Sequence, residues 1–243
     1  MWGYRFNGSF MIKRKTDTCI SCEMCNERSP LFNLLSNEEL KIANTNRFEV
    51  LFNTGENILK QGTSASHMII VTSGMAKMYL EGYDKKNLLL ELIIPWKLFG
   101  GPGLFTDYRY HYSVTALTET TACFISIDNL RKVLRSNPDF VEGLLKHCSQ
   151  NSVLNFQRLI SLTQKQMHGR LADVLIYLSE KIYNSRIFDL TITRQEIGEM
   201  SNMTKESATR ILKEFEQARI IRLETKHIEL TDYEKLQQLS LRG

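Results

Sequence analysis

The stretch Thr193-Arg194-Gln195-Glu196-Ile197-Gly198-Glu199-Met200-Ser201-Asn202-Met203-Thr204-Lys205-Glu206-Ser207-Ala208-Thr209-Arg210-Ile211-Leu212-Lys213-Glu214-Phe215 decides the fold. Thr193 and Glu196 stand at capping-box spacing. The hydroxyl can accept from a free amide of the first helical turn while the carboxylate reaches back to the cap amide. Ile197 and Met200 give that helix an apolar side, and Ser201-Asn202 supplies turn chemistry. Thr204 is placed to cap a second helix running to about Ala218. At helical periodicity Ala208, Ile211, Leu212, Phe215 and Ala218 fall on one arc, and Lys205, Glu206, Thr209, Arg210 and Lys213 on the opposite one. One stripe can pack on its own domain while the other faces out. Such a face suits base edges, because Arg and Lys donate to guanine O6 and N7 and Glu accepts from cytosine N4. An ordinary amphipathic surface helix has the same periodicity, so the flanks must decide.

Downstream, Ile220-Ile221-Arg222-Leu223 and His227-Ile228-Glu229-Leu230 alternate around Glu224-Thr225-Lys226, which predicts a β-hairpin, the wing of a winged helix. A last helix is expected from about Asp232. Upstream, Arg170 to Leu178 is apolar at helical spacing and can support the motif. From His168 onward twelve Lys/Arg balance twelve Asp/Glu. Attraction to double-stranded DNA must therefore come from local placement, at Lys205, Arg210, Lys213, Arg219, Arg222 and Lys226.

The run from Thr204 to Lys213, with Gly169-Arg170-Leu171-Ala172 before it, resembles the recognition helix and preceding helix of the CRP/FNR regulators. In that family a Glu and an Arg four residues later make the main base contacts, which the resemblance maps onto Glu206 and Arg210. Lys205 stands where the family often has Arg, and Thr209 where the FNR branch often has Ser. The resemblance further implies a homodimer formed through a long helix and RNA polymerase as a partner.

Between Leu31 and Ile127 short β-type segments alternate with glycines. Strands are expected at Phe48–Phe52, within 55–62, and at Met68–Val71, Met75–Leu80, Leu88–Ile94 and Tyr112–Ile127, with Gly55, Gly62, Gly74 and Gly100 at positive-φ turns. This half resembles the family's cyclic-nucleotide-binding jelly roll. Its cyclic-AMP binders hold the phosphate with a Gly-Glu pair and an Arg-Ser pair. The matching positions here are Gly100, Gly101 and Gly103, with no Glu after Gly100, and Tyr112-Ser113, with no Arg; Arg109 is out of register. A cyclic phosphate would lack its bidentate guanidinium, so cyclic AMP is not expected as the ligand. The pocket candidates remain Gly100, Gly101, Gly103, Tyr112 and Ser113 for a different small molecule.

Cys19, Cys22 and Cys25 recur at every third residue. Closely spaced thiolates let one loop wrap several corners of an iron–sulfur cluster. Cys123 aligns, by the resemblance, with the distant fourth ligand of the oxygen-sensing FNR branch. Zinc held by the same thiolates, or no metal at all, remain alternatives. Cys148, on a long helix, is expected to be a small buried apolar residue. Five cysteines and no apolar core in Met1–Lys15 argue against a disulfide framework and a secretory leader.

Asp128 is expected to cap a short helix ended by Asn137-Pro138-Asp139, and a long helix should run from about Phe140 to Lys165. Val141, Leu145, Cys148, Ser152, Asn155, Leu159 and Leu162 recur along it at coiled-coil spacing. The 243 residues are 42% hydrophobic and 24% charged with a net charge of +4, an ordinary water-soluble balance with room for two domains. No run is apolar enough to span a membrane, and a cytoplasmic location is expected.

The fold class is α+β: an N-terminal segment (1–30), a β jelly roll or double-stranded β-helix (31–127), a dimerisation helix region (128–166) and a winged helix-turn-helix (167–243). The expected function is transcriptional regulation. A redox or metal enzyme built on Cys19, Cys22 and Cys25 lacks a nucleophilic triad, P-loop or dinucleotide fingerprint around it. A regulator without cofactor, answering to a neutral ligand, is the other alternative.

Overall fold

A computed structural model describes Cys22, Cys25 and residues 28–243 of the chain; Cys19 lies outside the described residues. A short 3₁₀ turn at Pro30–Leu34 leads into α1 (Asn37–Asn44), whose start is fixed by a reciprocal capping box between Ser36 and Glu39. The jelly roll follows as β1 (Phe48–Phe52), β2 (Asn57–Leu59), β3 (His67–Ser73), β4 (Ala76–Leu80), β5 (Leu88–Ile93), β6 (Leu98–Phe99), β7 (Ser113–Ala116) and β8 (Thr120–Ser126). They pair antiparallel in two sheets of order β1-β8-β3-β6 and β2-β7-β4-β5. Ile69, Val71, Val114 and Ala122 fill the interior with almost no exposure.

Helices α2 (Ile127–Ser136) and α3 (Pro138–Gln164) come next, with Pro138 at the first position of α3 and Asn137 capping it through Phe140 N–H. Leu40, Ala43, Leu130, Val133 and Phe140 join the core of the roll. The C-terminal lobe comprises α4 (Met167–Tyr177), a π turn at Leu178–Tyr183, β9 (Ile187–Asp189), α5 (Arg194–Met200), α6 (Lys205–Gln217), β10 (Ile221–Glu224), β11 (His227–Leu230) and α7 (Tyr233–Arg242). Its core also takes in Met75, Leu89 and Leu92 from the roll, so the two lobes share an apolar seam.

The seam carries polar locks. Lys77 on β4 pairs with Glu196 on α5 at 2.7 Å, and the Tyr177 hydroxyl accepts from Leu92 N–H at 3.0 Å. Arg158, half-buried on α3, donates to the carbonyls of Leu89 and Leu90 on β5 and of Met200 at the end of α5. β5 is an edge strand, and these groups satisfy backbone that would otherwise lie open.

Several expectations need correction. The wing is a three-stranded sheet, order β10-β11-β9, because Ile187–Asp189 adds to the hairpin. The segment 55–62 yields strand only at Asn57–Leu59, and Tyr112–Ile127 is split by a turn into β7 and β8. Gly101, not Gly100, takes the positive φ (78°); Gly100 is required for another reason, since a Cβ there would come within 2.5 Å of Leu104. Asp128 sits inside the first turn of α2, and Ser126 occupies the cap position. Ala218 is the exposed C-cap of α6 rather than part of its buried stripe. Cys148 is exposed rather than buried.

Candidate functional site

The helix-turn-helix forms from local chemistry. Thr193 and Glu196 complete the capping box, and Thr204 caps α6 through Ser207 N–H. Between the helices Asn202 adopts φ 49°, which a short amide side chain tolerates. Gly198 lets the turn fold back on α5, because a Cβ there would lie 2.7 Å from the Met203 carbonyl. Ala208, Ile211, Leu212 and Phe215 are buried as the periodicity requires. Lys205, Glu206, Arg210 and Lys213 are exposed, while Thr209 is half-buried with its hydroxyl donating to the Lys205 carbonyl at 2.7 Å. These five, with Glu214 and Gln217, line one open concave face. Arg194 donates to the Thr225 carbonyl and ties the start of α5 to the wing turn.

Two carboxylates of the motif, Glu214 and Glu196, are held by partners distant in sequence. Glu214 accepts from Arg210 at 2.6 Å and from the His168 ring, on α4, at 2.7 Å. His168 together with Arg210 holds the Glu214 carboxyl below its ordinary range. In Glu196 burial pushes the carboxyl up, but Lys77 and Thr193 outweigh it and the net shift is downward. An i,i+4 pattern would flag Arg210 with Glu214; neither His168 nor Lys77 is local to its partner.

The jelly-roll candidates come together around the chain's own groups. Gly100 N–H donates to the buried Tyr112 hydroxyl at 3.0 Å, and Gly101 lies against the same ring. Burial raises the Tyr112 phenol above its ordinary range. The Ser113 hydroxyl donates to Glu81 and accepts from Gln61 N–H at 2.9 Å, while Glu81 pairs with Lys60 at 2.6 Å. Gly103 packs on the Arg109 carbonyl, which leaves no room for a Cβ. The amide and hydroxyl that would meet an anionic ligand are thus engaged internally, with a carboxylate beside the hydroxyl.

The thiols converge more than the sequence alone could show. Cys22, Cys25 and Cys123 line one apolar pocket together with Phe32, Arg47 and Trp96. Cys123 lies on β8, and its sulfur accepts from Arg47 Nε at 2.8 Å. Burial pushes the Cys123 thiol up to about 12, with Arg47 offsetting only part. Cys22 N–H donates to Asn44 at 3.2 Å, and Arg28 donates to the Cys25 carbonyl at 3.1 Å. Among the described residues no three His, Cys, Asp or Glu side chains gather closely enough to share one metal ion.

A jelly roll locked by a long helix to a winged helix-turn-helix with an exposed second helix defines the architecture of a winged-helix transcriptional regulator. Residues 49–137 match the cyclic nucleotide-binding domain, and residues 169–239 the Crp-like helix-turn-helix domain. A CRP-like cAMP-activated global transcriptional regulator of Mycobacterium tuberculosis is 25% identical over 189 residues, 76% of this chain and 84% of its own. The transcriptional activator protein Anr of Pseudomonas aeruginosa is 25% identical over 182 residues, 73% and 74% of the two chains. FixK2 from Bradyrhizobium japonicum shares the fold with a TM-score of 0.73 at 18% identity, over 79% of this chain and 96% of its own. The chain belongs to the CRP/FNR family of DNA-binding transcriptional regulators. No described helix is long and apolar enough to cross a membrane.

Proposed function

We propose that the protein is a homodimeric, redox- or oxygen-responsive transcriptional regulator whose signal is taken at the thiol pocket rather than at the nucleotide position of the roll. The observation that carries this reading is the meeting of Cys22 and Cys25, from the N-terminal segment, with Cys123, 98 to 101 positions away, in one pocket. Three soft thiols fit the donor chemistry of an iron–sulfur cluster. A cluster presents a separate iron to each thiolate and so asks for a wider ring of sulfurs than one zinc ion does. Cys19, Cys22, Cys25 and Cys123 would hold it. When bound, the cluster supplies iron–thiolate bonds that oxygen or oxidants can break.

The chain's own residues supply the route outward. Phe32 lines the thiol pocket and packs edge-on against Phe140 in the first turn of α3, ring centroids 6.0 Å apart. A change in how the N-terminal segment is held is thereby felt at the start of α3. Along that helix Leu145, Phe156, Leu159 and Ile160 are each more than half exposed, an apolar side suited to a second copy. Two copies would place Lys205, Glu206, Thr209, Arg210 and Lys213 of each protomer at half-sites about one DNA turn apart. Family membership makes RNA polymerase the expected partner and the cytoplasm the place of action. Cyclic AMP does not suit the roll, given the Tyr112–Gly100 and Ser113–Glu81 hydrogen bonds.

The test is an anaerobic absorption spectrum of the purified chain with iron and acid-labile sulfide measured on the same sample. A visible band that bleaches in air, with matched iron and sulfide, and its loss in Cys123→Ala, supports the reading. Colourless, iron-free protein purified anaerobically overturns the cluster and leaves the DNA-binding half to be tested alone.

A further inference from the structure

Glu214 stands on the reading face without being one of the residues that the helical arc offers to bases. Its two oxygens are divided: Oε1 takes Arg210 Nη1 at 2.6 Å, and Oε2 takes His168 Nε2 at 2.7 Å. The His168 ring lies 6.0 Å from the Phe215 ring, centroid to centroid, and Phe215 is buried in the lobe's core. The carboxylate is therefore held from α4, a helix outside the helix-turn-helix, while it holds the guanidinium on α6. An isolated exposed pair at this spacing would matter little. The anchored version has a different use: it limits where the guanidinium of Arg210 can go.

We propose that Glu214, fixed by His168, is a positioning residue for Arg210 and sets how sharply Arg210 discriminates its base; this rests on Arg210 being a base-reading residue as read above. An unrestrained arginine samples many rotamers and can satisfy its five donors on many phosphates as well as on one guanine. With Nη1 engaged by Glu214, the remaining donors keep a fixed fork for the bidentate O6/N7 contact. The carboxylate also opposes a slide of Arg210 toward the phosphate backbone's path, since its charge has the phosphates' sign. Glu214 thus sharpens specificity while lowering sequence-independent attraction.

The experiment uses the full chain and DNA duplexes that the wild-type protein enriches from a randomised pool. Each base pair of one half-site is then changed in turn and binding is measured for wild type, Arg210→Ala, Glu214→Ala, Glu214→Gln, His168→Ala and His168→Gln. The pair read by Arg210 is the one whose preference vanishes in Arg210→Ala. At that pair Glu214→Ala is expected to cut the preference about 5-fold or more, within the ~5- to 150-fold that one bidentate contact provides. Affinity for an unrelated duplex should hold or rise. Glu214→Gln, which keeps an acceptor, and His168→Gln, which keeps a donor, should each recover part of the preference that their alanine variants lose. A merely structural role would instead lower affinity for every duplex equally and drop the melting temperature. Unchanged preference at the Arg210 pair in Glu214→Ala overturns the proposal while leaving the DNA-reading assignment intact. Failure of the wild type to enrich any sequence, or of Arg210→Ala to alter any preference, overturns that assignment and the proposal with it.

Discussion

Replacing Arg158 by Met should loosen the joint between the roll, α3 and the DNA-binding lobe. Arg158 gives one guanidinium to three backbone carbonyls: Leu89 and Leu90 on the edge strand β5, and Met200 at the end of α5. The Met200 group is one of the last carbonyls of its helix, where a cation is favoured. Three charge-assisted hydrogen bonds at about 1.5 kcal/mol each would give about 4–5 kcal/mol. Against that stands the cost of partial burial of the charge, visible in the downward pull of burial on the Arg158 pKa and in its Nε, which has no hydrogen-bond partner among the described residues; an orphaned donor costs about 1–3 kcal/mol. The net loss in Arg158→Met is therefore about 2–3 kcal/mol. For a chain of this length that corresponds to a fall of about 4–12 °C in melting temperature. Scanning calorimetry should show this fall, or a separation of one transition into two as the lobes uncouple, and limited proteolysis should cut faster around Lys165, between α3 and α4. Arg158→Lys should recover less than half, since an ammonium cannot reproduce the planar fork. Calorimetric and proteolytic profiles identical to wild type in Arg158→Met would refute the assignment of Arg158 as a joint.

Arg210→Ala should cost about 1–3 kcal/mol of sequence-specific binding, measured by titration at fixed salt against a selected duplex; equal affinity would remove Arg210 from the reading face. Gly198→Ala puts a methyl 2.7 Å from the Met203 carbonyl, so it should destabilise the C-terminal lobe by about 1–3 kcal/mol in denaturant titration, despite alanine's better helix propensity. The Lys77–Glu196 pair should show a defined pH sign. With the Glu196 carboxyl held below its ordinary range, the folded form binds the proton more weakly than the unfolded chain. The pair therefore stabilises at neutral pH, and its contribution fades as pH falls below about 4.3. The melting-temperature gap between wild type and Lys77→Met should accordingly be larger at pH 7 than at pH 3.5. Phe156→Glu places a charge on the exposed apolar side of α3 and should convert the proposed dimer to a monomer in light scattering, without lowering the helical circular dichroism signal.

What was legible in the sequence and what was not divides along chain distance. The helix-turn-helix could be read because all its determinants lie within a few residues of each other: Thr193 with Glu196, Thr204 with Ser207, and the stripe Ala208, Ile211, Leu212 and Phe215. The roll was legible as strands punctuated by glycines, though not in its detail; β9 is three residues with a single buried side chain, Phe188, too short to carry a period. Helical periodicity shows which residues share a side of α3 but not which side packs at home, and so the pattern alone puts Cys148 inside while the structure leaves it exposed. The pairs that tie the molecule together are the least visible. Lys77 and Glu196 are 119 positions apart, and Arg47 and Cys123 are 76 apart; each residue alone is an ordinary charge or thiol. Glu196 shows the consequence best. As a capping residue it was predictable, and as such it only begins a helix. Paired with Lys77 it also fastens the first helix of the DNA-binding motif to β4 of the jelly roll. The same carboxylate that starts α5 therefore fixes where α5 sits, which is what a signal arising in the roll would have to change in order to move the recognition helix.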